Sequence, residues 1–133
     1  GGKKTWKFTI VTNQDMIKKL ARMIGAQLGT SFYNMYEPSA LFIPSNLKDN
    51  EFGIEDNACA LQNAMLAAYS NGVAYTWINQ LHGNCDSEGI RKVLTEMGIP
   101  ENHVVYGIAA MGYADPSADK PVYKAGGEVQ FVK

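Results

Sequence analysis

One run constrains this chain more than any other. From Ala58 to Tyr69 nearly every residue is small or apolar, and Ala58, Leu61, Ala64, Met65 and Ala68 fall into one stripe at helical spacing. The other positions add no charge, so the helix reads apolar on most of its faces and belongs at the centre of a fold. Glu51, Glu55 and Asp56 stand before it, where negative charge meets the positive end of a helix, and Asn71-Gly72 supplies its stop.

The segments around that helix have clear but different periods. Trp6 to Val11 alternates and is β-prone, which predicts a strand with Trp6, Phe8 and Ile10 on one face. Thr12 is the expected N-cap of a following helix, with Asp15 three residues on. That helix turns Ile17, Leu20, Met23, Ile24 and Leu28 inward and ends near Gly25 or Gly29. Thr30 to Pro38 has no period and reads as a loop or irregular helix, and Ala40 to Ile43 reads as a strand stopped by Pro44. After the central helix, Val73 to Ile78 is extended and Asn79 to Asp86 is a polar loop. Ser87 to Met97 is a short helix closed by Gly98 and Pro100, with Ile90, Val93, Leu94 and Met97 inward. Val104 to Met111 is a buried strand, Tyr113 to Gly127 an exposed arm, and Glu128 to Val132 a last short strand. Strands and helices mix without a βαβ repeat, so the class is α+β.

A chain of 133 residues, 46% of them hydrophobic, suits a single domain, 1–133, around one core. Its 12 basic and 13 acidic residues nearly cancel and form no dense basic cluster, which argues against nucleic acid or an anionic membrane as partner. The segment GGKKTWKFTI lacks the apolar core of a signal peptide, and no apolar run approaches a membrane span, so the cytoplasm is the expected location. Cys59 and Cys85 are expected as reduced thiols in or near the core, without metal-ligand spacing. His82 and His103 stand beside no nucleophile pattern, so no catalytic triad or metal site is expected.

Several segments, in order, carry a resemblance to a known family. A-C-A-L-Q-N-A-M-L-A-A-Y-S-N-G-V-A-Y-T-W-I (Ala58 to Ile78) resembles the central helix and following strand of the nitroreductase family, with its Gln-Asn pair, Leu-Ala-Ala step and Gly before a Trp-Ile. I-R-K-V-L-T-E-M-G-I-P-E (Ile90 to Glu101) and V-V-Y-G-I-A-A-M-G-Y (Val104 to Tyr113) are similar to that family's short helix, Gly-Ile-Pro-Glu turn and final core strand. K-K-T-W-K-F-T-I-V (Lys3 to Val11) looks like the segment after the family's Pro-Ser motif. The resemblance implies a mostly antiparallel sheet flanked by helices, and a C-terminal arm exchanged in a homodimer. It also implies a domain shortened at its front, without the family's Arg-rich first motif. Where the family often has Asn and Gln before the Trp, this chain has Gly2 and Lys4.

By the same resemblance the cofactor is FMN and the reductant NAD(P)H, with hydride passing in ping-pong fashion to a nitroaromatic, quinone or similar small acceptor. No protein side chain then serves as acid, base or nucleophile, because the cofactor carries the chemistry. The turn after Trp77-Ile78 matches the segment whose backbone approaches the flavin N5, so Asn79 and Gln80 are the candidate donors through main-chain N–H. Relatives often have glycine there, so these side chains are expected to narrow access to the ring. Lys124, and after it Lys120, match a basic position near the phosphate, while Lys3 and Lys4 could reach phosphate or ribityl oxygens. Trp6 is expected in the core, whereas Phe32, Tyr33 and Tyr36 could roof a partner's flavin or serve dimer packing. A reading from another class remains beside this one: a flavin-free or flavin-storing dimerisation or interaction module that kept the fold without turnover.

Overall fold

The alternation of Trp6–Val11 becomes strand β1, which pairs antiparallel with β2 (Ala40–Leu47) in the register Trp6 to Asn46 through Val11 to Leu41. Between them runs α1 (Gln14–Gln27); after β2 come α2 (Gly53–Ser70), β3 (Ala74–Ile78), α3 (Glu88–Glu96), β4 (His103–Val104), β5 (Ile108–Gly112) and a 3-10 turn, Pro116–Ala118. The structure, a computed structural model, describes residues 4–118 and 126–132. The described residues form a five-stranded sheet in the order β1-β2-β5-β3, with β4 pairing β2 beside β5, and every pairing is antiparallel. The α+β class and the helix-flanked antiparallel sheet expected from the sequence are both present. No described helix is long and apolar enough to cross a membrane.

Period-two geometry sorts the strand residues onto two faces. On one face, Val11, Leu41, Ile43, Ile78, Ile108 and Ala110 meet Ile17, Leu20 and Ile24 of α1 and Ile90, Val93 and Leu94 of α3 in one buried cluster. On the other, Phe42, Ala109 and Met111 meet Leu61 and Met65 of α2 in a much smaller one. The buried positions of α2 are Gly53, Asn57, Leu61, Met65 and Ala68, a single stripe. Its remaining faces lie open, so the helix predicted to be central is covered on one side within this chain. Ala58 and Ala64, placed in the inward stripe by spacing, are only half-buried.

Local signals place the helix ends. The C-cap of α1 is Leu28; Gly29 follows at φ 71°, its N–H donates to Ala26 O, and the N–H of Thr30 donates to Gly25 O at 2.9 Å. This is the Schellman pattern, in which glycine takes the left-handed turn without a Cβ penalty. Helices α2 and α3 end likewise at Gly72 and Gly98.

Several expectations are corrected. Asn13, not Thr12, caps α1, because its Oδ1 accepts from the N–H of Met16 at 3.1 Å. Leu28 is exposed, since it caps the helix beyond the last inward turn. Strand β2 does not stop at Pro44. β5 pairs Ala40 to Phe42 and β4 pairs Asn46 to Leu47, so no strand bonds the stretch between them on that side. A strand residue's N–H and C=O point to the same side. The carbonyl of Pro44 faces that gap, where it accepts from Asn57, and the missing N–H costs no ladder bond there.

The strand expected from Val104 to Met111 is broken in two. Phe42 pairs with Ala109 and Asn46 with Val104, so the second strand carries one residue more than β2 over that interval and bulges at Val105 to Gly107. Glu128 to Val132 lie outside any strand, with no pairing among the described residues, and Val129, Phe131 and Val132 are exposed. Both cysteines are free; Cys85 is buried, but Cys59 is exposed on α2. Trp6 is 44% exposed rather than in the core, because it points to the α2 face, where that helix covers only part of the sheet.

Candidate functional site

Strand β3 is an edge of the sheet, and at its end the chain turns through Asn79 and Gln80. Ile78 is buried in the α1/α3 cluster and anchors the strand, so only its backbone is available to a ligand. Trp77 points to the opposite face with its indole partly exposed. The indole Nε1 donates to Asn79 Oδ1 at 3.3 Å, the carbonyl of Asn79 accepts from the N–H of His82 at 3.1 Å, and the carbonyl of Gln80 accepts from Asn84 Nδ2 at 3.1 Å. Among the described residues, the N–H groups of Asn79 and Gln80 donate no hydrogen bond, and Gln80 Oε1 is buried without a partner. Both carbonyls are therefore tied down while both N–H groups remain unpaired. Backbone donors in that condition are open to an acceptor from outside the described residues.

The loop behind this turn is held by Arg91. Its guanidinium reaches Asp86 Oδ1 at 2.8 Å and the carbonyl of His103 at 2.9 Å. Burial opposes ionisation of Asp86, but hydrogen bonds from Lys48 and Arg91 outweigh it and hold the carboxyl below the usual carboxylate range. Next to it, His103 Nδ1 lies 3.0 Å from Ser45 Oγ, linking β4 to β2. Burial, then the charges of Lys7 and Arg91, push the imidazole below its ordinary value, so the ring is held neutral.

The other candidates lie elsewhere. Lys4 is exposed and leads into β1, the opposite edge of the sheet, about 14 Å from β3 at roughly 4.8 Å per strand step. Lys3, Lys120 and Lys124 lie outside the described residues. Phe32 and Tyr36 are exposed, whereas Tyr33 packs partly against the core; burial, then Tyr36, raises its pKa. A cavity of about 320 Å³ opens between β1 and α2, lined by Trp6, Phe8, Asn57, Cys59 and Tyr106 among others.

Two further residues, Asn57 and Gly107, bear on the turn. Asn57 is 6% exposed; its Nδ2 donates to Gly107 O at 3.1 Å and its Oδ1 accepts from Gly107 N at 3.2 Å, which satisfies the bulge backbone. Gly107 in turn lies against Trp77, with the indole Nε1 2.6 Å from where a Cβ would stand. The one available signal was a polar residue in register with Gly53, Leu61 and Met65 on the buried stripe of α2.

An antiparallel sheet with a long helix on one face and two shorter helices on the other defines an α+β class, here with a turn at one edge whose N–H groups donate no bond among the described residues. Within it, the chain belongs to the nitroreductase family: the model described as "Nitroreductase family" matches residues 30–113. The crystal structure of a nitroreductase with bound FMN from Bacteroides fragilis is 36% identical and superposes with a TM-score of 0.86, covering 97% of this chain and 76% of that one. A second nitroreductase with bound FMN, from Desulfitobacterium hafniense, shares the fold at 16% identity and a TM-score of 0.80, over 98% of this chain and 77% of that one. A curated Archaeoglobus fulgidus protein, whose name proposes an NADH dehydrogenase/NAD(P)H nitroreductase, is 26% identical over 129 residues, 94% of this chain and 69% of the relative. A Methanothermobacter thermautotrophicus protein with the same proposed name is 29% identical over 115 residues, 83% of this chain and 56% of the relative. The chain thus spans little more than half the length of the second of these.

Proposed function

We propose that this chain acts as one nitroreductase-like domain of an FMN-dependent oxidoreductase, taking reducing equivalents from NAD(P)H and delivering them to nitroaromatic, quinone or similar small acceptors in ping-pong fashion. The observation that carries the reading is the pair of unpaired N–H groups at Asn79 and Gln80, beside the exposed indole of Trp77. These residues fit the cofactor, because oxidised flavin N5 is a hydrogen-bond acceptor and a fixed backbone N–H is the donor least disturbed by side-chain change. Bound there, FMN supplies the hydride-accepting and hydride-donating atom, and this chain's residues position it. The turn offers the donors, Ile78 fixes the strand behind them, and Lys124, then Lys120, are the proposed cations for the phosphate. Lys3 and Lys4 are proposed as further contacts to phosphate or ribityl oxygens. The reading includes a homodimer, with the C-terminal arm exchanged, and a cytoplasmic setting.

A second reading has its own support. The open face of α2 calls for a partner whether or not flavin binds, as it would in a flavin-free or flavin-storing dimerisation module. Visible absorbance of the purified protein after FMN addition and gel filtration separates the readings: retained flavin bands that bleach with NAD(P)H and return with a quinone support the oxidoreductase. Retained bands that do not bleach indicate storage, and absent bands leave the module. Gln80→Pro deletes one of the donors and is expected to lower flavin affinity or reduction rate. Normal reduction of a folded Gln80→Pro protein would remove this turn from the N5 contact.

A further inference from the structure

We propose that Trp77, seated on Gly107 and latched to Asn79, is a positioning residue that restrains Asn79 and so steadies the turn that carries the N–H donors. The inference rests on the FMN reading of that turn. Four residues from three separate segments, Asn57, Gly107 and the pair Trp77 and Asn79, form one chain of contact. Asn57, on the buried stripe of α2, holds both backbone groups of Gly107, at 3.1 and 3.2 Å, and also donates to the carbonyl of Pro44 at 3.4 Å. The bulge is thereby fixed to the helix on one side and to β2 on the other.

Gly107 leaves a slot that only a missing Cβ allows. A methyl group there would stand 2.6 Å from Trp77 Nε1, closer than a Cβ tolerates, and 3.1 Å from Leu61 Cδ1, a tight contact. The indole fills the slot, and this fixes where its N–H points: to Asn79 Oδ1 at 3.3 Å. Asn79 is then held twice, through its side chain by Trp77 and through its carbonyl by the N–H of His82. The carbonyl bond to His82 orients the Asn79–Gln80 peptide and with it the Gln80 N–H, while the indole restrains the Asn79 side chain, so the two bonds together limit the conformations open to the turn. The same latch draws the Asn79 side chain back toward Trp77, so it does not stand free over the turn.

This arrangement makes a double-mutant prediction. Trp77→Phe keeps an aromatic ring but deletes the donor, and Asn79→Ala deletes the acceptor. Each is expected to raise the Kd for FMN about two- to tenfold, the worth of one neutral hydrogen bond, and to shift the visible band and midpoint potential of bound flavin. Because both changes remove the same bond, the double variant is expected to bind no more weakly than the weaker single variant. Gly107→Ala, which displaces the indole, is expected to behave like Trp77→Phe in the flavin spectrum, with thermal unfolding of the apoprotein as its fold control. Single variants that match the wild type in Kd, band position and potential, or a double variant whose effects multiply, would overturn the latch. The outcomes also separate from those of the FMN reading. If Gln80→Pro loses flavin while the latch variants keep it unchanged, the positioning role fails alone; if a folded Gln80→Pro protein binds FMN as the wild type does, the turn itself is excluded.

Discussion

On the α1/α3 side of the sheet, Leu20, Ile24, Ile43, Ile90 and Leu94 are removed from water almost completely. On the α2 side, built from the same kinds of residue, Phe8 is 51% exposed, Ile10 64%, Leu66 54% and Tyr69 76%. The difference lies in coverage. Two helices lie over the first face and pack on each other, with Lys19 of α1 paired to Glu96 of α3 at their outer margin. One helix lies over the second, and both it and β1 keep apolar faces open beyond the contact. Several exposed apolar side chains gathered on one side of a sheet mark an interface more often than an isolated one does. The closed face therefore carries the stability of the single chain, and the open face carries the proposed association.

The largest expected effect tests that division directly. Leu94→Ala, on the closed face, is expected to destabilise the protein by about 2–5 kcal/mol in urea denaturation. Leu66→Ala, on the open face, should cost no more than about 0.5 kcal/mol when measured at concentrations where the chain is monomeric. Equal losses would break the comparison, because they would require the open face to be sealed within one chain. Next in size, Phe8→Ser or Leu66→Ser should weaken self-association by about 1.5–3 kcal/mol, the worth of a fully buried large apolar side chain. Sedimentation velocity across a dilution series reads this, and a wild-type chain that stays monomeric at micromolar concentration would sink the dimer.

The smallest effect concerns pH and belongs to the closed face. His103 sits between β2 and β4 with its folded pKa below the ordinary 6.5, so between those two values the unfolded chain binds the extra proton. Its contribution to stability is then full above pH 6.5 and declines as the pH falls from 6.5 toward the depressed folded value, by at most about 1.4 kcal/mol per pH unit. His103→Gln should flatten that slope in chemical denaturation. An unchanged slope would show that the ring is not held neutral. Asp86 contributes in a separate window, below its ordinary 3.8, where protonation releases Lys48 and Arg91.

Much of the fold was legible because its signals are local. The alternation of Trp6 to Val11, the spacing of Ile17, Leu20 and Ile24, and the stops at Gly29, Gly72 and Gly98 each depend on a few neighbouring residues. The turn at Asn79-Gln80 could be located, from the resemblance, but not the reason its N–H groups are unpaired. That depends on which carbonyls and side chains of the loop reach back to it. Pro44 misled because a proline's cost in a strand depends on whether a neighbour needs its N–H, and here the neighbouring strand is interrupted. Asn57 was silent because an asparagine in an apolar run says nothing about the bulge it will satisfy fifty residues further on.

The sequence by itself determined the class, the order of elements from β1 to α3, most of their boundaries to within a residue or two, and the apolar character of α2. Tertiary structure alone decided which faces of α2 are covered, that Lys4 and Asn79 stand on opposite edges, and that Trp77 leans on Gly107. The physical reason is range. Backbone periodicity and capping are set within a turn or two of chain, whereas burial and hydrogen-bond partnership are set by segments that meet only when the sheet has closed.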